Sequence, residues 1–234
     1  MELKNAQEVA AKLIGYLRPG CKRIAIAGSV RRLKAEPKDI EIVFIPRFVS
    51  CQVDLFTVAP VPATDRIIDD LVATGILAWD LNVKRNGPKY KRLVHLDSGA
   101  VIELFIAQPL NWGLILALRT GPAAFMKVLV THDYQDGAMA ADMKMNDGFL
   151  WRRGKQLATL TEEDFFHEVG IPCWKPEERT TARLWEYLRG RQDLHRLTAQ
   201  IEAWEPATAE GALAKAGWLR GELDNAQVCA AMAQ

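Results

Sequence analysis

The residues with the clearest chemical potential are three carboxylates on two short apolar segments. Asp39 and Glu41 lie in DIEIVFI, and Glu103 lies in AVIELFIA. Strand alternation would point residues 39 and 41 to one face. Two carboxylates held on one face repel each other unless a cation bridges them, so the pattern suits a binuclear metal site. Glu103, flanked by Ile102 and Leu104, offers a third carboxylate from a neighbouring strand. The expected cofactor is a pair of Mg²⁺ ions roughly 4 Å apart, with Mn²⁺ as a substitute. Upstream, Gly28 lets backbone approach a phosphate closely, and the Ser29 hydroxyl and the N–H groups of the turn after it donate to phosphate oxygens. Arg32 adds a charge-assisted pair to the terminal phosphates, and Lys38 stands beside Asp39. A triphosphate held there would project its α-phosphate toward the metal-bearing strand.

These groups need rigid elements to carry them. Val9, Leu13, Ile14 and Leu17 recur at helical spacing in residues 4–17, and Pro19-Gly20 ends the run. Residues 23–27 (RIAIA) and 40–45 (IEIVFI) read as strands on either side of the Gly28-Ser29 turn, and residues 64–76 as a helix. The segments LNVKR and KYKRLVHL flank Asn86-Gly87, a tight-turn signal that predicts a hairpin. Residues 100–107 form a further strand. The spacing therefore predicts an α/β (α+β) sandwich with a mixed sheet. Beyond Pro109 the pattern is helical from 111 to about 132, broken at Gly121-Pro122. A short hairpin follows around Arg153-Gly154 within 148–158, then a helix with an acid-rich first turn over 161–169.

At 234 residues the chain can bury a sizeable core, and its formal net charge is +1. A strongly basic nucleic-acid-binding class is not indicated by that total. Residues 1–180 carry +2 (24 basic, 22 acidic) and the remainder −1 (6 basic, 7 acidic). Cys21, Cys51, Cys173 and Cys229 are dispersed, which argues against a disulfide framework or zinc site. There is no apolar run of membrane-spanning length and no signal-peptide pattern, so the expectation is a soluble cytoplasmic protein of a bacterial or virus-infected cell, with no membrane partner.

The strand–Gly-Ser–turn–strand–carboxylate series resembles the nucleotidyltransferase superfamily, and more closely the palm of family X DNA polymerases. Gly28-Ser29-Val30-Arg31-Arg32 followed by Asp39-Ile40-Glu41 is similar to that family's Gly-Ser-x-Arg-Arg and Asp-x-Asp, with Glu for the second Asp. Ile102-Glu103-Leu104-Phe105 resembles its Ile-Asp-Leu-Phe strand, again with Glu for Asp. Thr120-Gly121 resembles its Tyr-Phe-Thr-Gly motif, Gly148 to Leu157 its thumb hairpin, and Lys175 to Arg179 its closing Pro-x-x-Arg signature. The resemblance covers roughly residues 1–180 and is closest to minimal viral forms with only palm and thumb. It implies a palm over 1–109, a thumb over 110–180 and a helical extension over 181–234 with no family counterpart. It further implies that Asp39 and Glu41 ligate both metals and that Glu103 binds the catalytic metal and accepts the 3′-hydroxyl proton. Ser29 and Arg32 would hold the β- and γ-phosphates. Gly121 and the pair Leu118-Arg119, which replaces the family's aromatic pair at the sugar, would complete the nucleotide site. The implied partners are a nucleoside triphosphate and primer-template or gapped DNA, and the implied role is short-gap filling in repair.

Three readings stay open. Templated addition of dNMP to a DNA 3′-hydroxyl leads, followed by untemplated nucleotidyl transfer to RNA, protein or a small molecule. The third is a catalytically weak nucleic-acid-binding relative, motivated by the two Glu-for-Asp replacements. Lys84, Arg85, Lys89, Lys91 and Arg92 form the most basic local patch, to be read either as a solvated face or as a contact for the DNA backbone. Arg31 reads as structural or solvent-exposed rather than phosphate-binding, since only one of the adjacent pair need face the site. Trp174, Trp185, Trp204 and Trp218 read more readily as core than as base-stacking platforms.

Overall fold

The computed structural model of the chain describes residues 1–52, 58–81 and 86–233. It divides into two compact units, Met1–Thr181 and Ala182–Gln234. The first unit is α+β and is built on a five-stranded mixed sheet. In chain order its first elements are α1 (Leu3–Leu17), β1 (Cys21–Ile26), the single-turn α2 (Gly28–Arg31) and β2 (Asp39–Pro46). An exposed ribbon of β3 (Phe48–Gln52) and β4 (Val58–Pro62) follows, then α3 (Ala63–Ala73), β5 (Leu77–Trp79), β6 (Tyr90–His95) and β7 (Val101–Ile106).

The sheet order is β1-β2-β7-β6-β5. Only the central β2–β7 pair is parallel, in a register that sets Glu41 opposite Glu103; the other neighbours are antiparallel. Period-two alternation splits the central strands cleanly. Ile40, Ile42, Phe44, Ile102 and Leu104 face one side, where they pack with Leu13 and Leu17 of α1 and Ile68 and Leu71 of α3. Val43, Ile45 and Phe105 face the other side, packed with Trp112 and Leu116. That second face is apolar only at one end; at the other it carries Asp39, Glu41 and Glu103.

Its cover is α4 (Trp112–Thr120), followed by α5 (Ala123–Leu129), which restarts at Pro122. A three-stranded sheet then forms from β8 (Met143–Asn146), β9 (Phe149–Arg152) and β10 (Lys155–Leu157). Next comes α6 (Glu162–Glu168), whose start is fixed by a reciprocal cap: Thr161 Oγ1 accepts from Asp164 N at 3.1 Å, and Thr161 N donates to Asp164 Oδ2 at 2.8 Å. Helices α4 and α6 approach closely at Gly113, where a Cβ would fall 1.7 Å from the Thr161 carbonyl oxygen. The second unit holds almost all of α7 (Thr181–Ala203), with α8 (Ala209–Leu219) and α9 (Asn225–Met232). Ile201 and Val228 are buried, and the four tryptophans singled out above are half-buried.

The expected elements appear with three differences. The antiparallel partner that precedes β6 in the chain is Leu77–Trp79 rather than a strand starting at Leu81; residues 82–85, including Lys84 and Arg85, lie outside the described residues. Helix α3 stops at Ala73 because Gly75 follows at φ +73°, a left-handed turn. The β3–β4 ribbon and β8 have no counterpart in the sequence pattern; β3 is exposed along its whole length and so has no burial alternation to read.

Candidate functional site

The site grows from the short link between β1 and β2. Gly28 begins α2 at φ +63°, and a Cβ placed on it would lie 1.8 Å from Glu41 Oε2. The Glu41 carboxylate thus rests where any side chain at 28 would stand, so glycine is required for contact as well as conformation. Ser29 is buried, and its Oγ has no hydrogen-bond partner among the described residues. A buried hydroxyl left unmatched is costly unless a ligand satisfies it.

The two arginines after it diverge. Arg31 Nη1 donates to Thr120 Oγ1 at 2.7 Å, and its Nη2 pairs with Glu162. Glu162 also accepts from Arg179 Nη1 at 2.7 Å. Arg179 is almost wholly buried and lies 4.8 Å over the Phe166 ring. Burial works to raise the Glu162 carboxyl, but hydrogen bonds from Arg31 and Arg179 and their charges outweigh it and hold it below the usual value. Arg31 is structural, as the sequence suggested. Arg32 bonds the Thr120 carbonyl and turns to the carboxylates. Burial lowers its guanidinium, and the charges of Glu41 and Asp39 offset part of that effect.

A cleft of about 320 Å³ is lined by Ser29, Arg32, Lys38, Asp39, Glu41 and Gly121, together with Leu118 and Arg119 at the end of α4. Lys34 also lines it. Sequence reasoning misses that residue because it reaches the cleft through the turn at Leu33, whose φ of +57° has no sequence signature. Cationic and carboxylate groups therefore converge on one small cavity. The Glu41 carboxyl is pushed up to about 7, first by burial, then by the charges of Asp39 and Glu103, with Arg119 and Arg32 opposing. Such a group favours either a proton or a metal cation.

Glu103 lies apart from the small cleft. It lines a neighbouring cleft of about 1010 Å³ with Tyr90, Phe105, Gln108, Asn111 and Arg119. Arg119 borders both cavities and lies 4.0 Å over the Phe105 ring. Tyr90 Oη donates to Glu103 Oε1 at 2.6 Å, and Arg92 Nη1 to the same atom at 3.3 Å. Burial and that bond to Glu103 push the Tyr90 hydroxyl up to about 12, so it remains a donor. Among the described residues, no three His, Cys, Asp or Glu side chains stand ready-made as a metal cluster. Asp39 and Glu41 nevertheless fit a divalent cation by charge, by shared face and by the raised Glu41 carboxyl.

The basic patch disperses. Arg92, opposite Glu103, faces the carboxylates, whereas Lys91, opposite Leu104, faces the other side of the sheet and pairs with Asp65 at 3.4 Å. Lys89 pairs with Asp147. The described members of the patch are thus each matched to a carboxylate and spread over both faces. No helix among the described residues is long and apolar enough to cross a membrane. No model of a known protein family matches this chain, and no curated protein sequence matches it.

Proposed function

We propose that the chain is a nucleotidyltransferase of the family X DNA polymerase type, adding dNMP from a dNTP to a DNA 3′-hydroxyl. The observation that carries this reading is the convergence of Ser29, Arg32, Lys38, Asp39, Glu41, Leu118, Arg119 and Gly121 on one cleft beside Glu103. Asp39 and Glu41 would hold two divalent cations, and Glu103 one of them. Mg²⁺ or Mn²⁺ bound there supplies Lewis acidity and neutralises phosphate charge. The chain's own groups do the positioning. The unpartnered Ser29 hydroxyl donates to a phosphate oxygen, and Arg32 and Lys38 hold the charge of the β- and γ-phosphates. Both contacts to Glu103 fall on Oε1, so Oε2 remains to accept the proton of the attacking hydroxyl. Attack on the α-phosphate expels pyrophosphate, and the rate comes from placement and electrostatics.

A second reading, untemplated transfer to a different acceptor, draws support from the basic patch. Lys89, Lys91 and Arg92 are ion-paired and divided between sheet faces, which offers a duplex little open cationic surface. One experiment separates the two. The protein is incubated with Mg²⁺ or Mn²⁺, labelled dNTPs and primed, gapped or single-stranded DNA, with Asp39→Ala as control. Template-directed extension lost in the control supports the first reading. Untemplated labelling of another acceptor, an RNA, protein or small molecule added to the same mixture, supports the second. DNA binding that survives Asp39→Ala with no transfer under any condition refutes both.

A further inference from the structure

The ribbon of β3 and β4 stands outside the main sheet, and its two edges differ. Ala63 N donates to the Arg47 carbonyl at 2.8 Å, which places residues 47 and 63 in the hydrogen-bonded phase of the ladder. In an antiparallel pair that phase alternates with positions whose N–H and C=O groups point outward. The register sets Phe48 opposite Pro62, Val49 opposite Val61 and Ser50 opposite Pro60. Val49 therefore bonds Val61, while the backbone groups of Phe48 and Ser50 point away from β4. On β4 the outward positions include Pro60 and Pro62, which have no N–H to offer. One edge of the ribbon is closed by proline. The other keeps its donors and acceptors, with no third strand on it among the described residues.

The open edge also lacks what usually protects one. Residues 48–52 (FVSCQ) carry neither charge nor proline and are exposed throughout. Protection against stray pairing would need both edges blocked; blocking one leaves a place where a single strand can dock. A second copy of this chain fits that place. It brings the same uncharged strand, which pairs antiparallel with itself about a two-fold axis. At a net charge of +1, two copies repel each other little. The prolines of β4 then occupy both outer edges and end the assembly at two.

We propose that β3 is a dimerisation edge, through which two copies join their ribbons into one four-stranded antiparallel sheet, β4-β3-β3-β4. The ribbon leaves β2 at the end opposite Asp39 and Glu41, so the inference does not depend on the chemistry of the cleft. The interface is small, and the dimer should form in the micromolar range.

The test is sedimentation velocity of the full chain across that range, where the wild type should pass from monomer to dimer. Ser50→Pro removes an outward N–H without touching a bond to β4 and should weaken association about tenfold or more. Ser50→Ala keeps that N–H and should leave association unchanged. Cys51 is an exposed thiol on the same strand, so a short bis-maleimide should join two wild-type chains and fail to join Cys51→Ser. If circular dichroism shows Ser50→Pro misfolded, the crosslink decides. A wild-type chain that stays monomeric, which would leave the edge to a foreign strand, overturns the proposal. So does a dimer indifferent to a folded Ser50→Pro, or a covalent dimer that persists in Cys51→Ser.

Discussion

Replacing Glu41 by Gln should stabilise the metal-free protein, increasingly so as pH rises above about 4.5. The folded chain holds the Glu41 carboxyl at about 7 against an ordinary value of 4.5. A tenfold change in a carboxyl's acidity on folding corresponds to about 1.4 kcal/mol, so ionising Glu41 in the folded state costs up to about 3 kcal/mol. Because the folded value lies above the unfolded one, this side chain's contribution is fully present below about pH 4.5 and is lost as pH rises through about 7. Glutamine is close in shape to the protonated acid and never ionises. The stability difference between Glu41→Gln and wild type should therefore be near zero at pH 4.5 and grow to about 3 kcal/mol at pH 8. Urea titrations in chelator at both pH values measure it, and taking the difference removes the other titrating groups. Added Mg²⁺ should recover most of the wild-type deficit at pH 8 and do little for the variant. A variant no more stable than wild type at pH 8, or equally stabilised at both pH values, would refute the electrostatic account of the site.

Other consequences are equally direct. Gly28→Ala places a methyl 1.8 Å from Glu41 Oε2 at a positive φ, which should cost about 2–3 kcal/mol in thermal or urea unfolding and abolish tight Mn²⁺ binding. Glu162→Gln leaves Arg31 and Arg179 with a neutral partner and should cost about 3–5 kcal/mol at pH 7. The wild-type Glu162 carboxyl is held below 4.5, so its stabilisation is present above that pH and lost on further acidification; the gap between the two proteins should narrow in acid. With Leu118 and Arg119 at the end of α4, discrimination between dATP and ATP should be weak; strong rejection of ATP in single-nucleotide incorporation would count against the placement of the sugar there.

The carboxylates were legible because strand alternation is a local rule. Asp39 and Glu41 share a face by spacing alone, and Glu103 stands out as a charge in an apolar strand. The mixed sheet and the helices over its apolar face followed from the same periodicities. Legibility failed where a contact depends on register between distant strands. That Arg92 lies opposite Glu103 and Lys91 opposite Leu104 is set by the β6–β7 pairing, so one basic cluster in sequence became separate ion pairs on opposite faces of the sheet. Arg179 shows the same limit from another side. Its place in a terminal motif was visible, but its partnership with Glu162 requires the segment after α6 to fold back over that helix, where Arg179 also lies over the Phe166 ring.

The other pairing of Glu162, with Arg31, bears on the order in which the molecule can assemble. Arg31 reaches Glu162 across 131 positions, and Thr120 across 89. The Gly28-Ser29 turn is encoded near the N-terminus, yet its anchoring arginine has no counter-charge until the segment carrying Glu162 has been synthesised. During synthesis the sheet's early strands can pair while the turn between β1 and β2 stays unanchored. Closing so long a loop is slow, so the bracing of that turn against the carboxylates should be among the last features a nascent chain acquires. A chain cut before Glu162 would keep its three carboxylates and lose the brace behind them.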